Sequence, residues 1–112
     1  MAQKVNWPGK SGRKYQFSVF DMVWEPAPNQ DGNYIFAKIV NGAWTAVYIG
    51  QGDLKDRRSH HLRESCVTKH GATHYLCHLN PNREARLSEE SDLLANHLEA
   101  YNPSGCNVKV GG

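Results

Sequence analysis

Gly32-Asn33-Tyr34-Ile35-Phe36-Ala37-Lys38-Ile39-Val40-Asn41-Gly42-Ala43-Trp44-Thr45-Ala46-Val47-Tyr48-Ile49-Gly50 carries the strongest local folding signal of the chain. Two runs rich in aromatic and aliphatic residues flank Asn41-Gly42, which is a hairpin signature. The turn decides which side chains share a face. A two-residue Asn41-Gly42 turn pairs Val40 with Ala43 and sends Tyr34 and Tyr48 to opposite faces. A three-residue loop with Gly42 as a left-handed bulge pairs Ile39 with Ala43 and sets Tyr34 directly across from Tyr48. That register also collects Ile35, Ala37, Ile39, Val47 and Ile49 into one apolar layer, the feature that fixes register in a half-buried sheet. The bulged turn is therefore expected, with Trp44 on the tyrosine face.

Downstream, Asp53 can cap a helix running to about Ser65, its carboxylate accepting from free backbone N–H groups. Arg57 and His61 stand i, i+4 on one face of it. Residues 72–79 read as a third strand. A second helix is expected from Glu84 to about Tyr101, with an apolar stripe of Leu87, Leu94, Leu98 and Tyr101. Glu90 falls on that stripe, where a charge is uncommon unless it is paired or binds a metal. A salt bridge to Arg57 would also account for it. Upstream, residues 15–20 alternate as a strand, residues 25–31 form a loop, and residues 1–14 read as a loose polar arm. Gly9-Lys10-Ser11 is not a phosphate-binding P-loop, because Lys4 occupies the position of the required upstream Gly.

With 112 residues, 39% hydrophobic, and a net charge of +2, the chain fits one soluble domain. The charge permits nucleic-acid binding without arguing for it. No segment reaches the roughly 18–20 apolar residues of a membrane span, and no apolar leader is present at the N-terminus. Three cysteines, Cys66, Cys77 and Cys106, read as reduced thiols of a cytoplasmic protein.

Gly-Asn-Tyr34, Tyr48-Ile-Gly, Asp-Leu-Lys-Asp-Arg57, Glu90-Ser-Asp-Leu-Leu and Pro-Ser-Gly-Cys-Asn107 follow one another in order, and this order resembles the GIY-YIG nuclease domain over residues 32–107. Asn33 departs from the usual Ile, and Arg58 stands where an apolar residue is common. The resemblance implies an α/β (α+β) domain with a small three-stranded antiparallel sheet flanked by helices, here with an extra N-terminal strand. Residues 1–31 would be an extension and residues 32–112 the catalytic domain, within one compact domain overall. It implies metal-dependent hydrolysis of DNA phosphodiesters, with Tyr34 as general base and Tyr48 assisting. Arg57 would stabilise the phosphate, His61 would support proton traffic, Glu90 would hold Mg²⁺ or Mn²⁺, and Asn107 would orient the site. Glu89 is the alternative metal ligand.

Lys38, Trp44, Lys55, Arg58 and Arg63 are the candidate nucleic-acid contacts, with Trp44 placed to stack on a base. Lacking a DNA-reading domain, the chain is expected to act on branched or single-stranded DNA or to take specificity from a protein partner. The contrasting reading is a non-catalytic nucleic-acid- or protein-binding module on the same fold. A zinc site from Cys66, His70, His74, Cys77 and His78 is disfavoured. His74 and His78 share a strand face from which Cys77 points away, and zinc needs four converging ligands.

Overall fold

The computed structural model describes residues 3–109. Its strands are β1 (Gln3–Pro8), β2 (Lys14–Asp21), β3 (Asp31–Val40), β4 (Ala43–Asp53) and β5 (His74–Leu79). They form one antiparallel sheet in the order β1-β2-β5-β3-β4. Three helices complete this α+β fold: α1 (Leu54–Glu64), the single turn α2 (Cys66–Lys69) and α3 (Arg83–Asn96). The expected three strands thus form one side of a five-stranded sheet, because residues 3–14 of the expected arm are ordered into it, residues 1–2 lying outside the described residues. β1 pairs along β2, and Trp7 on β1 is buried at 2% exposure.

The central hairpin reaches its register by an unexpected route. Asn41 and Gly42 form a two-residue turn, with φ of 52° and 79° and Val40 opposite Ala43. Such a turn matches the right-handed twist of the strands, and Gly42 takes the positive φ without a Cβ clash. The bulge lies further along instead: Phe36 pairs with Tyr48 but Ala37 with Ala46, leaving Val47 as the extra residue. The inserted residue shifts parity by one. Tyr34 and Tyr48 therefore share a face after all, although Tyr34 lies across from Gly50 and not from Tyr48. Two expectations fail for the same reason. Val47 packs with Tyr34 and Phe36, and Trp44 lies on the opposite side, edge-on to His74 with ring centroids 5.1 Å apart. Ile39, at the hairpin end, is exposed.

Both faces of the sheet are covered. One carries Trp7, Phe17, Ile35, Ile49 and Leu76 beneath Leu93 of α3. The other carries Tyr34, Phe36 and Tyr75 with Leu54 of α1 and Val67 of α2. α1 starts where expected, since the Asp53 carboxylate accepts from the Asp56 N–H at 3.0 Å. α3 differs from the sequence reading. It ends at Asn96, and a 3-10 turn over Leu98–Ala100 follows. Asn96 Nδ2 and His97 Nε2 lie 2.9 and 2.8 Å from the Pro8 carbonyl and tie this end to β1. The buried stripe is accordingly Arg86 and Leu93, while Leu98 is exposed. Asn33 also finds its reason here. It is fully buried, and its amide donates to the Arg86 carbonyl at 2.9 Å, fastening α3 to β3 one helical turn before Glu90.

The thiol reading is corrected. Cys66 and Cys106 form a disulfide, and Cys77 is free and buried. No helix among the described residues is long and apolar enough to cross a membrane.

Candidate functional site

Tyr34 and Tyr48 stack with ring centroids 6.0 Å apart and planes inclined by 19°. Gly50 makes room for them. A Cβ at that position would lie 2.5 Å from the Tyr34 hydroxyl and 2.8 Å from Cε1 of Tyr48. We predict that Gly50→Ala lowers stability by about 1–3 kcal/mol, the usual cost of overpacking, and disturbs the tyrosine signals in NMR spectra. Urea unfolding with an unchanged midpoint would show that the tyrosines are not locked by this contact.

Capped at Asp53, α1 projects Arg57 and His61 against the tyrosine pair. The Tyr34 hydroxyl and His61 Nε2 are 2.8 Å apart. Arg57 Nε is 3.4 Å from the same hydroxyl, and Arg57 Nη2 is 3.5 Å from His61 Nε2. A guanidinium can only donate, so the His61 lone pair must be on Nε2. Tyr34 then donates to His61, Arg57 donates to the Tyr34 oxygen, and the His61 proton sits on Nδ1, 3.8 Å from the Glu64 carboxylate.

Burial, followed by the field of Arg57, pushes the His61 pKa down to about 4. Burial pushes the Tyr34 and Tyr48 phenols up, against the opposing pull of Arg57. Hydrogen bonding to Tyr34 raises Arg57 and holds its charge. The lowered His61 pKa has a consequence for folding. Between about pH 6.5 and 4 the unfolded chain takes up a proton on His61 that the folded chain refuses, so stability falls as pH falls through this window. Urea unfolding across that range should show a loss of roughly 2–3 kcal/mol, and His61→Gln should flatten it. An equal slope in the variant would assign the effect to other groups.

β4 is an edge strand, and beyond it the two helical layers meet around one cavity of about 830 Å³. Tyr48, Arg57 and His61 line it together with Glu90, Leu94 and Asn107. Tyr34 stands behind them at 1% exposure. Glu90 has no ion pair or side-chain hydrogen bond among the described residues, so the salt bridge to Arg57 is not formed. Burial raises its pKa, and Arg57 opposes this. An unpaired, partly buried carboxylate on a polar cavity wall fits a hydrated divalent cation bound through one oxygen ligand. Glu89 points elsewhere, 3.6 Å from His78 and within reach of Asn80. Asn107 is committed to the backbone: Oδ1 accepts from Ile49 N–H and Nδ2 donates to the Ile49 carbonyl, each at 2.9 Å. It clamps this segment onto β4 beside Tyr48, with both amide atoms hydrogen-bonded to the backbone.

The candidate nucleic-acid residues scatter. Arg58 is buried, donates to the Met22 carbonyl and pairs with Glu25 at 3.5 Å. Lys38 is tied to the His70 carbonyl at 2.8 Å. Lys55 is half-buried and Arg63 is exposed, both on α1, whereas Trp44 lies on the other face of the sheet. The sequence reading missed His60, Glu64 and Lys109, which line the cavity. His60 Nε2 lies 2.9 Å from Glu64, an i, i+4 pair readable once α1 is assigned. Comparison of the chain with models of protein families, with characterised proteins and with solved structures finds no match.

Proposed function

We propose that the chain is a GIY-YIG-type endonuclease that hydrolyses DNA phosphodiesters with one divalent metal. The observation that carries this reading is the shared cavity. Residues spread from Tyr48 to Asn107 line it, and Tyr34 stands directly behind them, hydrogen-bonded to the lining His61. Arg57 receives the phosphate, its planar fork suited to two oxygens of one anion. The Tyr34 oxygen takes a proton from the attacking water while its own proton passes to His61 Nε2, so the buried phenol never carries a full charge. The phosphate anion offsets the Arg57 field that holds His61 down, and substrate binding thereby strengthens this proton acceptor. Tyr48, on the cavity side, orients the water. Glu90 would hold Mg²⁺ or Mn²⁺, which supplies charge stabilisation on phosphorus and on the leaving oxygen. Branched or single-stranded DNA in the cytoplasm is the proposed substrate, with a protein partner as a source of specificity. Tyr34→Phe should slow plasmid nicking by about 10²–10⁴-fold, the usual worth of a proton-transfer group. An unchanged nicking rate in that variant rules out the mechanism.

One observation favours a second reading. Burial opposes a charge on both Tyr34 and His61, as a binding module without turnover would permit. Such a module would retain DNA affinity and never cleave.

A further inference from the structure

Cys66, His70 and Cys106 lie apart from the proton path, and one donor atom from each falls within 4.8 Å of the others. Cys66 and His70 stand i, i+4 across α2, and Cys106 reaches them from the segment clamped to β4. His70 Nδ1 is 3.6 Å from the Cys66 sulfur and 3.5 Å from that of Cys106. On the far side of the ring, Nε2 is 3.0 Å from the Pro103 carbonyl. An N–H donated there is the outer contact that commonly orients a metal-binding imidazole, and it leaves the Nδ1 lone pair for the sulfur side.

Nδ1 is also 3.0 Å from the Cys66 carbonyl. Both ring nitrogens therefore face acceptors, and a neutral imidazole has one N–H to offer. A cation on Nδ1 removes that conflict. Two thiolates and an imidazole are a zinc donor set, and Cys66 and Cys106 both line the cavity, which leaves a fourth position open to water or to a bound group.

We infer that the reduced chain binds one zinc ion through Cys66, Cys106 and His70, and that the disulfide is the metal-free, oxidised form of the same site. The exchange balances with a thiol reductant. Two equivalents of thiol reduce the Cys66–Cys106 bond and leave as their own disulfide, and zinc then displaces the two thiol protons. A reducing cytoplasm would favour the thiol form. The site differs from the disfavoured zinc reading above: it uses Cys106 and excludes His74, His78 and the buried Cys77. It does not depend on nuclease activity.

Cobalt(II) is the probe, because thiolate ligation gives a charge-transfer band in the near ultraviolet. The full chain is titrated with and without prior reduction. The expected result is one cobalt per reduced chain with a thiolate band, displaced by zinc, and no such band in the disulfide form. Cys66→Ser and Cys106→Ser should each lose band intensity. His70→Ala should bind more weakly by at least about tenfold, since even outer contacts to a ligand are worth 10- to 100-fold. Cys77→Ser should behave as wild type. Wild-type reduced chain with no thiolate–cobalt band overturns the inference without recourse to any variant, as does a band that survives in Cys66→Ser but disappears in Cys77→Ser.

Discussion

Glu90→Gln is expected to reduce metal-dependent cleavage by about 10³-fold, since a cation stabilising transition-state charge supplies several kcal/mol. The same variant should unfold at a temperature no lower than wild type. The sign follows from the raised pKa of Glu90. A carboxyl group held above its unfolded value favours the fold while protonated, and that contribution is lost as pH rises through the folded pKa. At neutral pH the ionised side chain is thus a liability that an uncharged amide removes. A divalent cation acts in the same direction by stabilising the ionised form, so Mn²⁺ should raise the melting temperature of wild type and leave Glu90→Gln unmoved. The disulfide form is the one to test, because Mn²⁺ prefers oxygen ligands and the sulfurs are then withdrawn. A Glu90→Gln protein that melts well below wild type would mean that the carboxylate has a structural partner.

Arg57→Ala should lower cleavage by about 10²–10³-fold, the scale seen when a preorganised donor to a developing anion is removed. It should also raise the pKa of His61 from about 4, because the Arg57 charge is the second cause of its depression after burial. Imidazole NMR shifts followed against pH would read this directly. A His61 titration identical in wild type and Arg57→Ala would break the link between the phosphate-binding residue and the proton acceptor. If the titration moves and cleavage does not, Arg57 acts on the fold and not on the substrate.

Where a local signal was complete, the sequence was readable. Asp53 predicts the start of α1, and the i, i+4 spacing predicts that Arg57 and His61 face one way, as they do around Tyr34. The hairpin was harder because two devices, a turn type and a bulge, fix its parity. The shared tyrosine face follows from the bulge at Val47, which no turn residue announces. Trp44, on the far side of that bulge, was misplaced for the same reason. β1 carries few apolar residues, and only its pairing with β2 and the docking of Trp7 show it to be a strand. The end of α3 was obscure because His97 breaks a run without Gly or Pro, held by contacts to Pro8 from a distant part of the chain. Arg58 reads as a nucleic-acid contact in the sequence, and only the loop at Met22 to Glu25 makes it a buried tie. The pairing of Cys66 with Cys106 spans 40 residues and needs the fold to bring its ends together.

The proposed nuclease activity requires that Tyr34, Arg57, His61 and Glu90 act as one hydrolytic centre. Its most direct test is cleavage of a mixture of single-stranded, duplex, flapped and branched DNA with Mg²⁺, Mn²⁺ or EDTA, run beside Glu90→Gln. The expected result is cleavage of at least one substrate that requires the metal and is lost in the variant. Folded wild-type protein that cuts none of them, or cutting that Glu90→Gln leaves intact, would contradict it.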